Sequence, residues 1–162
     1  MSAFRNPLLL AAAAGLTLFL AAAAAQQEAP KPPMARITGK TLIAVNELKW
    51  EPLPGFEGCE EAKIVGDPTK EAHRVFYKFP VGMKSPPHSH SYGDRGVIVS
   101  GALGLAVEGA PMKKLPPGSF FSIAAGVPHV TTVEGDQPCV FWVEREGPFD
   151  VKPTEAAPPA KK

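Results

Sequence analysis

The chain has 162 residues and a mass of 17.1 kDa, with 17 Lys+Arg against 16 Asp+Glu and a formal net charge of +1. That length holds one domain, and so even a balance excludes the basic footprint of a general nucleic-acid binder or a polybasic membrane-surface protein. Proline and glycine are abundant, at 19 and 15 residues; here they punctuate short apolar runs and read as turns between strands.

In chain order, residues 1–25 read as an export signal. Arg5 supplies a positive start, Leu8 to Leu20 an apolar core, and Ala23-Ala24-Ala25 small residues for cleavage before Gln26. The rival reading is a retained anchor over Leu8 to Ala25. That stretch is interrupted by Gly15 and Thr17 and sits at the short limit for spanning a bilayer. The pattern favours cleavage and a periplasmic or secreted product with no stable membrane anchor. Residues 26–40, with Gln-Gln-Glu-Ala-Pro-Lys-Pro-Pro at their start, form a polar linker and N-terminal arm.

The domain is expected over 41–150. Its apolar runs of strand length are Leu42–Val45, Ala62–Val65, Val75–Phe79, Val97–Val99, Leu103–Val107, Phe120–Ile123, Val130–Val133 and Val140–Val143. Between them stand turn signals such as Pro54-Gly55, Gly66-Asp67-Pro68 and Pro116-Pro117-Gly118. Helical periodicity is missing outside the leader, so the pattern predicts an all-β barrel or sandwich. Residues 151–162 are expected to form a disordered tail. Cys59 and Cys139 allow one pairing in an oxidising compartment; a bridge and two separate buried thiols are both consistent with the sequence.

Three of the four histidines carry the chemistry. His88 and His90 are one residue apart, and strand side chains alternate, so both rings share a face. His129 precedes a later strand that could lie opposite them. Three converging imidazoles outline a metal site with positions open for water or substrate; hydrogen bonding in a polar barrel mouth is the plainer alternative. His73, in the strand leading to Phe79, reads as a partly exposed strand residue. Phe76, Tyr77, Phe121 and Trp142 read as core, some of them lining a pocket.

These residues resemble the two motifs of the cupin superfamily. The first is Gly, five residues, His-x-His, three or four residues, Glu, six residues, Gly. Here it reads Gly82, Met83 to Pro87, His88-Ser89-His90, Ser91 to Gly93, Asp94, six residues, Gly101. The second reads Gly118, Ser119 to Ile123, Ala124-Ala125-Gly126, Val127-Pro128, His129, Val130 to Thr132, Val133. Departures from the pattern are Asp94 for glutamate, Ala124 for proline and Val133 for asparagine. The resemblance covers about residues 60–146. The segment from Pro80 through His90 and the ending Glu146-Gly147-Pro148-Phe149-Asp150 are similar to small bacterial cupins of unassigned function.

What the resemblance implies is a single-domain cupin jelly-roll barrel with His88, His90, His129 and Asp94 as ligands of a divalent transition metal: Mn, Fe, Ni, Cu or Zn. Asp94 is one methylene shorter than the family's glutamate, so it could ligate directly or through water, or pair with Arg95 instead. A small-molecule ligand or substrate is implied, with a homodimer as the expected assembly and no nucleic-acid partner. Two functions follow: a metal-dependent dioxygenase or related oxidoreductase acting on a small organic acid or phenolic, and a non-catalytic metal or small-ligand binder with a sensor or storage role. A metal-free barrel binding sugar through its aromatics is a third.

Overall fold

Short strands joined by proline and glycine turns build the molecule, as the alternating sequence dictates. A computed structural model describes residues 41–155. The leader, the linker and residues 156–162 lie outside the described residues. A 3-10 turn, Val45–Glu47, is followed by eleven strands: β1 (Glu51–Pro52), β2 (Glu60–Val65), β3 (His73–Phe79), β4 (His88–Ser89), β5 (Asp94–Ser100), β6 (Leu103–Val107), β7 (Lys113–Leu115), β8 (Phe120–Ile123), β9 (His129–Val133), β10 (Cys139–Arg145) and β11 (Lys152–Pro153).

The strands form two antiparallel sheets, ordered β1-β2-β3-β10-β5-β8 and β11-β4-β9-β6-β7. This is the jelly roll implied by the cupin resemblance. In β3, β9 and β10 every second residue is buried, which is how a strand with one face on a core is patterned. Register places Tyr77 opposite Phe141 and Phe141 opposite Ile98, so one buried row crosses β3, β10 and β5. Tyr77, Phe79 and Phe141 stack with ring centroids 4.9–5.7 Å apart. Gly101, the last residue of the first motif, turns the chain from β5 into β6 at φ +70°, where a Cβ would lie 2.4 Å from the Pro138 carbonyl oxygen. Both facts require glycine.

Seven of the eight expected runs lie within strands. The exception is Leu42–Val45, where Leu42 and Val45 are exposed and the Ala44 N–H donates to the Glu47 carboxylate at 2.7 Å. That bond turns the chain, and no strand among the described residues pairs with the run.

Residues 151–155 also depart from expectation. Residue 151 was to begin a disordered tail, yet β11 pairs with β4, and the Thr154 N–H donates to the Pro87 carbonyl at 3.1 Å. Backbone pairing, which composition does not reveal, orders this stretch.

Both cysteines are buried free thiols. Cys139 pairs with Phe79 on β3, while Cys59 enters β2 on the other side of that strand. Two interstrand spacings make about 9.5 Å, beyond the roughly 7 Å over which a disulfide can close. Burial pushes the thiols up, Cys59 to about 11 and Cys139 to about 12.

Candidate metal centre

His88 opens β4 and His129 opens β9, and the two stand directly opposite each other in the ladder. His90 follows β4 by one residue. Alternation and register thus bring His129 beside His88 and His90, about 40 residues earlier in the sequence. Their centroids are 4.3, 5.0 and 5.1 Å apart. All three are buried, and each offers a donor atom within 4.8 Å of the others.

Each ring is held by its far nitrogen. Nδ1 of His88 donates to the Pro86 carbonyl at 2.9 Å, and Nδ1 of His129 to the Val127 carbonyl at 3.0 Å. Nδ1 of His90 donates to the carbonyl of Asp150. A carbonyl has no proton to give, so each ring spends its N–H there and leaves its Nε2 lone pair for another partner. Burial pushes His88 below its ordinary value and His90 down to about 3, so both stand neutral near pH 7. Three buried, pre-aimed imidazoles fit a divalent transition metal.

The Asp94 carboxylate is not among the three converging donors. It is buried at the start of β5, and its Oδ2 accepts from Nη2 of Arg145 at 2.6 Å, while Oδ1 has no partner among the described residues. Arg95, the partner the sequence suggested, is half-exposed and pairs with Glu144 and Glu146. Asp94 nevertheless lines the same cavity as the three histidines.

That cavity has a volume of about 60 Å³ and lies between the sheets. Leu53, Phe56, Phe79, Leu105, Phe121 and Phe141 make much of its wall apolar, and Tyr77, Arg145 and Phe149 line it as well. Phe76 and Trp142 are not in the wall; they occupy the strand positions that alternate with the buried ones.

A strap covers one side. After β10 the chain crosses to β11, and Phe149 touches four groups: the rings of Phe56, Tyr77 and His90, with centroids 5.7–6.3 Å away, and the Arg145 guanidinium, 4.8 Å from its ring centre. Oδ1 of Asp150 accepts from the Ser91 N–H at 2.8 Å, and Oδ2 accepts from the Ser91 hydroxyl at 2.5 Å. Burial alone would push the Asp150 carboxyl up, but the Ser91 donors outweigh it and hold the group below its ordinary value.

A family model matches residues 41–162; it describes a domain of unknown function, DUF4437. The chain belongs to that family. No curated protein matches it in sequence. Among solved structures it is similar to the polyketide cyclase RemF from Streptomyces resistomycificus, at 22% identity over 74% of this chain and 90% of that one, with a TM-score of 0.59. An RmlC-like cupin from Shewanella frigidimarina aligns at 17% identity over 67% and 92% of the two chains, with a TM-score of 0.52. A predicted oxalate decarboxylase from Thermotoga maritima aligns at 16% identity over 66% and 99%, with a TM-score of 0.55. These likenesses establish the cupin fold of the DUF4437 chain.

Sequence reasoning found the three histidines and missed what surrounds them. His73, expected to be partly exposed, is 1% exposed; its Nδ1 donates to the Glu71 carbonyl at 3.0 Å, and burial lowers its pKa. It faces Arg145 across the β3–β10 ladder, with Asp94 on the far side. Arg145 gave no signal, because Glu144-Arg145-Glu146 reads as a solvated strand end. The alternation beginning at Cys139 was the available clue: counted forward, it turns Arg145 inward.

Proposed function

We propose that this chain is an exported metal-binding cupin. In this reading the three histidines hold a divalent transition metal, and the protein acts as a metal-dependent oxygenase or related enzyme on a small organic acid or phenolic. One observation carries it: three buried imidazoles, each anchored through Nδ1, converge beside a largely apolar cavity. A bound metal supplies Lewis acidity or redox chemistry. His88, His90 and His129 hold it, the aromatic wall excludes water, and the free Oδ1 of Asp94 is proposed as a fourth, anionic ligand. Export rests on the leader, with the mature chain beginning near Gln26.

The second reading is a binder without turnover. It is favoured by the ionisable groups of the cavity: Asp94 is engaged by Arg145, and burial pushes the Tyr77 hydroxyl up to about 12, leaving no ready general base beyond the ligands.

Metal analysis of protein purified without added metal is the first test, with about one transition-metal ion per chain expected. Metal-free protein that also fails to take up Mn, Fe, Ni, Cu or Zn ends both metal readings. Oxygen uptake with a panel of phenolics and carboxylates then separates oxygenase from binder. N-terminal sequencing of the periplasmic fraction tests export, and an intact Met1 in the membrane fraction argues against cleavage.

A further inference from the structure

We infer that Arg145 anchors the carboxylate of the cavity's ligand, which makes that ligand an organic acid with an apolar body. The inference rests on the reading of the cavity as a small-molecule site and narrows its substrate class.

Arg145 ends β10 with its side chain 3% exposed. A guanidinium has five N–H donors. Nη2 meets Asp94 Oδ2, but Nε and Nη1 have no acceptor among the described residues. The Tyr77 hydroxyl, also buried, has no partner either. Both residues line the cavity. Buried donors are normally satisfied, and stripping a cation of water without replacement is costly.

The balance of unpaired groups identifies the missing partner. Among the cavity's side chains, the metal-facing histidine nitrogens aside, Arg145 leaves three N–H donors and Tyr77 one O–H, against one unpaired acceptor, Asp94 Oδ1; the unpaired Nε2 of His73 lies outside the cavity wall. The complement is rich in acceptors and poor in donors, as a carboxylate is and a neutral phenol is not. Charge points the same way: Arg145 and Asp94 cancel, and a divalent cation held beside them leaves the cavity in need of an anion. The Phe149 ring against the guanidinium limits how it can turn. The apolar remainder of the wall takes the body of the acid.

The test is calorimetric titration of zinc-loaded protein with two matched pairs, benzoate with benzamide and butyrate with butyramide, with zinc measured on every sample. Zinc is redox-silent, so binding is read without turnover. In the wild type at least one carboxylate should bind about tenfold or more tighter than its amide, the range of a charge-assisted hydrogen bond. Arg145→Lys keeps a cation for Asp94 but loses the free donors, and should abolish most of that preference with zinc retained. Tyr77→Phe should reduce it a few-fold. If Arg145→Lys does not fold, Asp94→Asn combined with Arg145→Met, which removes both charges together, replaces it. Equal binding of acid and amide, no binding of either carboxylate, or a preference that survives these substitutions overturns the proposal. Should the wild type take no zinc, the metal reading fails, and the same titrations on metal-free protein still decide the role of Arg145.

Discussion

His73, His88 and His129 share a local device: Nδ1 donates to the carbonyl two residues back. Such a ring is aimed by its own strand. His90 is not, since its acceptor lies on the strap. On the proposed metal reading, His88→Ala, His90→Ala and His129→Ala should each lower metal content sharply while the fold survives, because each removes a ligand rather than a part of the apolar core. Full metal occupancy in all three variants, read by elemental analysis beside circular dichroism, would show the rings to be structural. Asp94→Ala is expected to behave differently. It leaves a buried guanidinium unpaired, which costs about 3–5 kcal/mol of stability in denaturant titration, whether or not the carboxylate ligates. Asp94→Asn keeps a hydrogen-bond acceptor, so its metal content reports ligation with less disturbance. The histidines were legible because motif spacing is local. Arg145 and His73 were passed over: strand alternation turns both inward, but the partners that let a polar side chain stay buried at a strand end are found only in three dimensions.

At the scale of elements, β4 is a two-residue strand held between β9 and β11. Long apolar strands announce themselves in a sequence; β1, β4, β7 and β11 do not, because pairing rather than hydrophobicity defines them. Asp150→Ala removes both Ser91 contacts and loosens the carbonyl that aims His90. It should weaken metal affinity by about tenfold or more, as loss of an orienting partner typically does, with a smaller effect on overall stability. An unchanged affinity would mean the backbone holds His90 without that side chain. The cysteines give a separate check. Native protein should resist an aromatic disulfide reagent, both thiols should react after denaturation, and a reductant should leave the unfolding midpoint unmoved. Rapid labelling of the native state would contradict their burial.

For the molecule as a whole, acid is the weak side. His73 is buried between Arg145 and the turn preceding β3, and its folded pKa lies below the ordinary 6.5. The unfolded chain therefore binds this proton more readily than the folded one. The contribution is present above about pH 6.5 and is lost as pH falls below it. Unfolding titrations between pH 7 and 5 should show stability declining, and His73→Gln, where it folds, should flatten that part of the curve. A variant curve parallel to the wild type would assign the acid limb to other groups.

The carbonyl that orients His90 belongs to residue 150, sixty positions downstream. A growing chain that has delivered all three histidines from the ribosome still lacks the contact that fixes one of them, and gains it only once residue 150 has followed. On the proposed metal reading, the complete three-ring site therefore waits for the strap. With the proposed export, the free-metal pool that meets the completed site is not the one in which the chain was made.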